Sequence, residues 1–174
     1  RFPDLIDRQP EILALHLTEA GRAEPAVAAW LNAGERATAR SAHAEAIAHL
    51  QQGLALLREQ TPGGDRDRRE LTFQVALGNA HMLISGYTST AAKDAFGKAL
   101  ELCRDLGNPP QVFPVLYGLS VNLGIRGELP QAQVFANEFV AEAETQGDLA
   151  ASIVSHRILG TYLATTGELA PARR

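Results

Sequence analysis

An all-α chain, stacked as a right-handed α-α superhelix of helical hairpins, is what this sequence predicts, on three observations. Apolar residues recur at i, i+3, i+4 and i+7 through most of the 174 residues, the period of a helix, and period-two alternation is nearly absent. Glycine marks the stops and Asp, Asn, Ser or Pro the starts, at a spacing that cuts the chain into helix-length segments. Twenty-nine alanines against 6% aromatic residues make much of the apolar fraction small, which suits close contact between helices.

Taken in order, a first helix near 9–20 stops at Gly21, and a second, 23–39, has Glu24-Pro25 in its opening turn. Ser41 precedes a third, 42–59, whose stripe is Ala46/Ile47, Leu50, Gly53/Leu54 and Leu57. Pro62-Gly63-Gly64-Asp65 breaks the chain before a fourth, 66–85. Ser89 or Thr90 is placed to cap a fifth, 89–106, with the stripe Ala92, Ala95/Phe96, Ala99, Leu102/Cys103 and Leu106. Gly107-Asn108-Pro109 ends that helix and opens a sixth, 109–126. Its segment Val112 to Ile125 is apolar on almost every side, and 14 residues favour a helix buried on both faces over a strand. Gly147-Asp148 separates a seventh, 129–147, from an eighth, 149–166, and a ninth starts near 168. Short turns make all neighbours antiparallel.

Charge and cysteine usage remove several function classes. The net charge is −4, and the densest charged run, Asp65-Arg66-Asp67-Arg68-Arg69-Glu70, sums to zero, so no phosphate-neutralising patch for nucleic acid is expected. The single cysteine, Cys103, excludes an intrachain disulfide or a multi-cysteine zinc site and reads as a buried thiol in a reducing compartment. Without a membrane-length apolar run or a basic-then-apolar leader, the chain is expected to be soluble, cytoplasmic and off the membrane. It opens on Arg1 and stops just after a helix-start signal, so a fragment of a longer protein is expected.

The segments also repeat. Leu123-Gly-Ile-Arg-Gly127-Glu-Leu-Pro-Gln-Ala132 and Leu163-Ala-Thr-Thr-Gly167-Glu-Leu-Ala-Pro-Ala172 agree at Leu, Gly-Glu-Leu and Ala, 40 residues apart. The tetratricopeptide template, W-x2-L-G-x2-Y followed by A-x3-F, lies on four places, beginning with Trp30-x2-Ala33-Gly34 and Ala46-x3-Leu50. Leu77-Gly78 with Ala92-x3-Phe96, Leu119-Ser120 with Ala132-x3-Ala136, and Leu159-Gly160 with Ala172 follow. Gly34, Gly78, Ser120 and Gly160, spaced by 44, 42 and 40 residues, fill the place where two helices of a hairpin cross. The division is thus one repeat domain over 1–174, with repeats near 23–60, 66–107, 109–147 and 149–174, the last truncated, after the helix at 9–20. Phase stays open, because Gly21-x4-Ala26-x3-Trp30 also fits the template's turn and second helix.

The stretches His16-Leu-Thr-Glu-Ala-Gly21, Ala26-Val-Ala-Ala-Trp30-Leu-Asn-Ala-Gly34 and Arg40-Ser-Ala-His-Ala-Glu45-Ala-Ile-Ala-His-Leu50, with Gly53-Leu-Ala-Leu-Leu57, carry a family resemblance. It continues through Leu71 to Gly78, Gly86-Tyr87, Ala99 to Cys103 and Pro114 to Leu119. The chain resembles the tetratricopeptide region of large bacterial signalling proteins that carry a class III adenylate/guanylate cyclase domain and an ATPase. The resemblance implies a regulatory or partner-binding role for this segment, with any cyclase or ATPase activity residing elsewhere in the parent.

The residues themselves offer no competing chemistry. G-x-x-x-x-G-K-[ST], G-x-G-x-x-G and H-E-x-x-H do not occur. His43, Glu45 and His49 look ligand-like, but offsets of two and six residues place them about 200° and 240° from His43 on a helix, so a solvated face is expected. His16, His81 and His156 stand singly, and Trp30 reads as core. The expectation is therefore a non-catalytic segment with no cofactor and no metal. Its partner, a protein, a peptide or another domain of the same chain, would lie along the concave face: Glu35, Asn79, Met82, Tyr117, Val121, Arg157 and Thr161. Self-association through the array ends is the alternative, and a small-molecule-sensing helical domain a further one.

Overall fold

The computed structural model describes residues 9–168, and these form eight α-helices with no strand among them. They are α1 (Pro10–Glu19), α2 (Ala23–Ala39), α3 (His43–Arg58), α4 (Gly64–Ser85), α5 (Thr90–Asp105), α6 (Val112–Ile125), α7 (Leu129–Gln146) and α8 (Leu149–Thr165). Most bounds fall within a residue of those read from the sequence. Helix α4 starts two residues early, where the Arg66 guanidinium bonds both Glu70 and the Leu57 carbonyl at the end of α3. Helix α6 starts three residues late, because Pro109 and Pro110 form a turn whose carbonyls accept from the Val112 and Phe113 N–H groups. Ser89 caps α5 through Ala92 N–H, and Asp148 caps α8 through Ala151 N–H. The ninth helix expected near 168 lies outside the described residues.

Every helix packs on the helix before it and the helix after it. A second set of contacts joins α2 to α4, α4 to α6 and α6 to α8, so the even helices form one touching layer while α3, α5 and α7 stand further apart. The core follows this arrangement as three clusters strung along the stack. Ala14, Trp30 and Ala33 join α1 to α2; Val27, Leu50, Leu57 and Phe73 join α2 to α4; and a larger set from Leu71 to Tyr162 runs through α4–α8. Helix α6 buries eight residues on several faces, as its all-round apolar sequence requires.

Small residues set how closely the helices approach. A Cβ on Gly34 would lie 2.6 Å from Leu50, and one on Gly78 2.6 Å from Phe96, which are the template pairs read from the sequence. Ser120 uses the same place differently: its hydroxyl donates to the Ala132 carbonyl at 3.1 Å, and the Tyr162 hydroxyl donates to the Ser120 carbonyl at 2.8 Å. Gly160, the fourth of the series, is half-buried. Gly34→Leu is expected to cost about 1–3 kcal/mol by overpacking the α2–α3 crossing. A chemical denaturation midpoint equal to the parent's would reject that packing.

Single residues of the sequence reading find definite places. Trp30 is 8% exposed, donates its indole N–H to Thr18 Oγ1 at 3.0 Å and stacks on His49 at 5.4 Å. His43 and His49 are half-buried, so the expected solvated His43/Glu45/His49 face is solvated only at Glu45, because the Trp30 ring covers one imidazole. Cys103 is fully buried, and burial pushes its thiol up to about 11, away from the reactive thiolate. Among the described residues no group of three or more His, Cys, Asp or Glu is arranged to hold a metal, and no helix is long and apolar enough to cross a membrane.

Candidate partner-binding surface

The touching layer of even helices carries all seven residues singled out from the sequence. Glu35 on α2 and Asn79 on α4 are exposed and line one groove of about 330 Å³. Thr38, Thr72, Val75, Ala76 and Gln111 complete it, so its floor is apolar and its rim is hydroxyl, amide and one carboxylate. The spacing 72, 75, 76, 79 is a single face of α4, set there because Phe73, Leu77 and Ala80 turn the opposite faces into the core. The α2 rim is built likewise: Ala33, Gly34 and Ala37 are buried, which leaves Glu35 and Thr38 at the edge.

The remaining candidates divide into two groups. Met82, Tyr117 and Val121 are half-buried and pack against the large core cluster, so they act as support for the layer as much as surface. Truncating Tyr117 would thus lower stability as well as alter any contact. Arg157 and Thr161 are exposed on α8, in a separate shallow recess with His156, Gly160, Ala164 and Thr165, and Thr161 Oγ1 bonds back to the Arg157 carbonyl. The structure therefore joins Glu35 with Asn79, and not the seven in one continuous groove.

Sequence reasoning missed Gln111, which comes to lie beside α4 from the turn before α6, and Thr38 and Thr72. The two threonines were legible, one lying three residues after Glu35 and the other seven before Asn79, while Gln111 is recruited through space. His81, at the end of the same helix, is held toward its neutral form by burial. Single imidazoles elsewhere are tied locally, His156 Nδ1 lying 2.9 Å from the Ser152 carbonyl oxygen.

No family model matches the chain. It is 30% identical over 108 residues to an uncharacterised protein of Rhizobium meliloti (strain 1021), a match that takes in 61% of this chain and 10% of that protein. The matched stretch is thus about a tenth of the length of the curated relative, a far longer polypeptide.

Proposed function

We propose that this chain is a non-catalytic, tetratricopeptide-like repeat segment that binds protein and serves a regulatory role within a larger bacterial signalling protein. In this reading the hairpins α2–α3, α4–α5 and α6–α7 stack as a right-handed superhelix, and the even helices line its concave side. The observation that carries it is the groove shared by Glu35, Asn79 and Gln111, because three successive even helices or their lead-in turns contribute to one recess with an apolar floor and a polar rim. Support for a large parent comes from the relative, of which the matched stretch is a small part. That the parent carries a nucleotide cyclase and an ATPase rests on the sequence resemblance, and a cytoplasmic place on the single, buried cysteine, which suits a reducing compartment.

The test places a photo-crosslinking residue at Asn79 or, as a control, at Gln52 on the exposed side of α3, in the full-length parent. Adducts to another polypeptide or to another domain of the parent, formed at position 79 and absent at 52, are expected. Equal labelling at both positions, or none at 79, would remove the concave-face reading. Adducts formed only with a second copy would move the assignment to self-association, for which Leu149 and Ile153, 74% and 62% exposed on α8, offer an apolar surface.

A further inference from the structure

The outer side of the stack carries two grooves that are the same place in successive repeats. One lies between α3 and α5 over α4, with Gln51, Leu54, Ala55 and Arg58 on one wall, Gln74, Leu77 and His81 on the floor, and Ala91, Asp94, Ala95 and Lys98 opposite. The other lies between α5 and α7 over α6, with Lys93, Asp94, Gly97, Lys98, Leu100, Glu101 and Arg104 on the α5 wall, so that Asp94 and Lys98 border both grooves, Leu119 and Leu123 on the floor, and Gln131 and Phe135 opposite. The repeat register makes Arg58 the counterpart of Arg104, Gln74 of Leu116, His81 of Leu123 and Lys98 of Glu138.

The two grooves differ at the position facing the arginine and on the floor beneath it. In the second, Arg104 Nη2 reaches both oxygens of Glu138 at 2.9 and 3.0 Å and straps α5 to α7 over a leucine floor. In the first, a lysine stands where that glutamate would be, so two cations flank the groove, and among the described residues neither Arg58 nor Lys98 makes an ion pair. Beneath them Gln74 is 2% exposed, and among the described residues its Nε2 has no hydrogen-bond partner. A buried amide donor left without an acceptor is destabilising, and an apolar residue would avoid that cost, as Leu116 does in the next repeat.

We propose that the α3–α5 groove is a carboxylate-binding site, in which the ligand's carboxylate takes the place of the missing Glu138 counterpart between Arg58 and Lys98 and accepts from the Gln74 amide. The apolar body of the ligand rests on Leu54, Leu77 and Ala95, in a space of about 380 Å³. Asp94, the one carboxylate on the rim, sets the site against a second negative charge, which favours a monocarboxylate over a phosphate dianion. This site is on the opposite side of the stack from Glu35 and Asn79 and does not depend on the reading of that face.

The test titrates the chain calorimetrically with 4-methylpentanoate, with the neutral 4-methylpentanamide, with inorganic phosphate, and with a blocked Leu-Glu-Leu tripeptide whose only carboxylate is a side chain. Saturable binding of the carboxylate, and none of the amide or phosphate, is expected. Lys98→Glu, which restores the arrangement of the neighbouring repeat on an exposed position, should abolish it, and Gln74→Leu should weaken it about tenfold or more through loss of a hydrogen bond to a charged group. Both variants should fold, because each copies a residue the next repeat already uses. Tighter binding of the tripeptide than of the free acid keeps the carboxylate site and assigns its source to a protein side chain. Binding of neither carboxylate, equal binding of the amide, or binding that survives Lys98→Glu overturns the proposal.

Discussion

Phe96→Ala is expected to lower the unfolding free energy by about 3–5 kcal/mol, the range for truncating a buried aromatic. The ring is fully buried at the middle of the stack, between Gly78 of α4 and Gly118 of α6. A Cβ on Gly78 would lie 2.6 Å from Cε1 of the ring, and one on Gly118 2.5 Å from Cε2, so two helices close on it with no side chain of their own at those points. That geometry is why the cavity left by truncation resists collapse: nothing on either glycine can move in to fill it. It also fixes the sign of a coupling. Gly118→Ala alone should destabilise by driving a methyl into the ring. In the Phe96→Ala background the same change fills part of the void and gains the roughly 1 kcal/mol that alanine has over glycine inside a helix. Urea denaturation of the four proteins measures the cycle. Simple additivity of the two changes would show that α6 does not close on this ring at Gly118.

Much of this architecture was legible in the sequence, for a physical reason. Helix period and turn chemistry are local, so Gly107-Asn108-Pro109 and Gly147-Asp148 mark boundaries without knowledge of the fold. The crossings Gly34 with Leu50 and Gly78 with Phe96 were legible too, since a repeat states its own packing each time it recurs. What the sequence could not show is which residues of different hairpins share a space. Phe96 has a second glycine, Gly118, from the following hairpin, and Gln111 enters the α2–α4 groove from a turn. The concave-face set failed to form one groove for the same reason: positions equivalent in the template differ in burial, Val121 packing against the core while its counterpart Asn79 stays exposed. The outer grooves went unread although their signal was present. Gln74 stands in a buried stripe between Leu71 and Leu77, and Lys98 opposes Arg58 where Glu138 opposes Arg104. Comparing repeats by charge rather than by size alone would have found both.

Asn122 should prove the most sensitive polar residue in the chain, because it fastens one hairpin to the next through hydrogen bonds that nothing else can replace. It is fully buried on α6, and its Nδ2 donates to the carbonyls of Tyr87 at 2.6 Å and Ser89 at 2.9 Å, in the turn between α4 and α5. Arg126, one helical turn further on, adds a bond to the Thr88 carbonyl, so the whole turn is held from α6. Asn122→Ala removes both donors at once and leaves a void beside a carbonyl turn, an expected loss of about 2–4 kcal/mol. Asn122→Asp is nearly the same shape and should be worse at neutral pH, since a buried carboxylate would face two carbonyl oxygens. The folded state tolerates that residue only as the neutral acid, which can still donate one bond, so its carboxyl is held above the ordinary range. A group whose folded pKa is raised keeps its contribution below the unfolded pKa and loses it as the pH climbs through the folded one. The stability gap between Asn122→Asp and the parent should therefore be small near pH 4 and widen toward pH 7, while the gap for Asn122→Ala stays level. Thermal melts of the three proteins across that range decide it: a gap for the aspartate variant that does not change with pH would mean that the side chain reaches water, and that the turn is not fastened from α6.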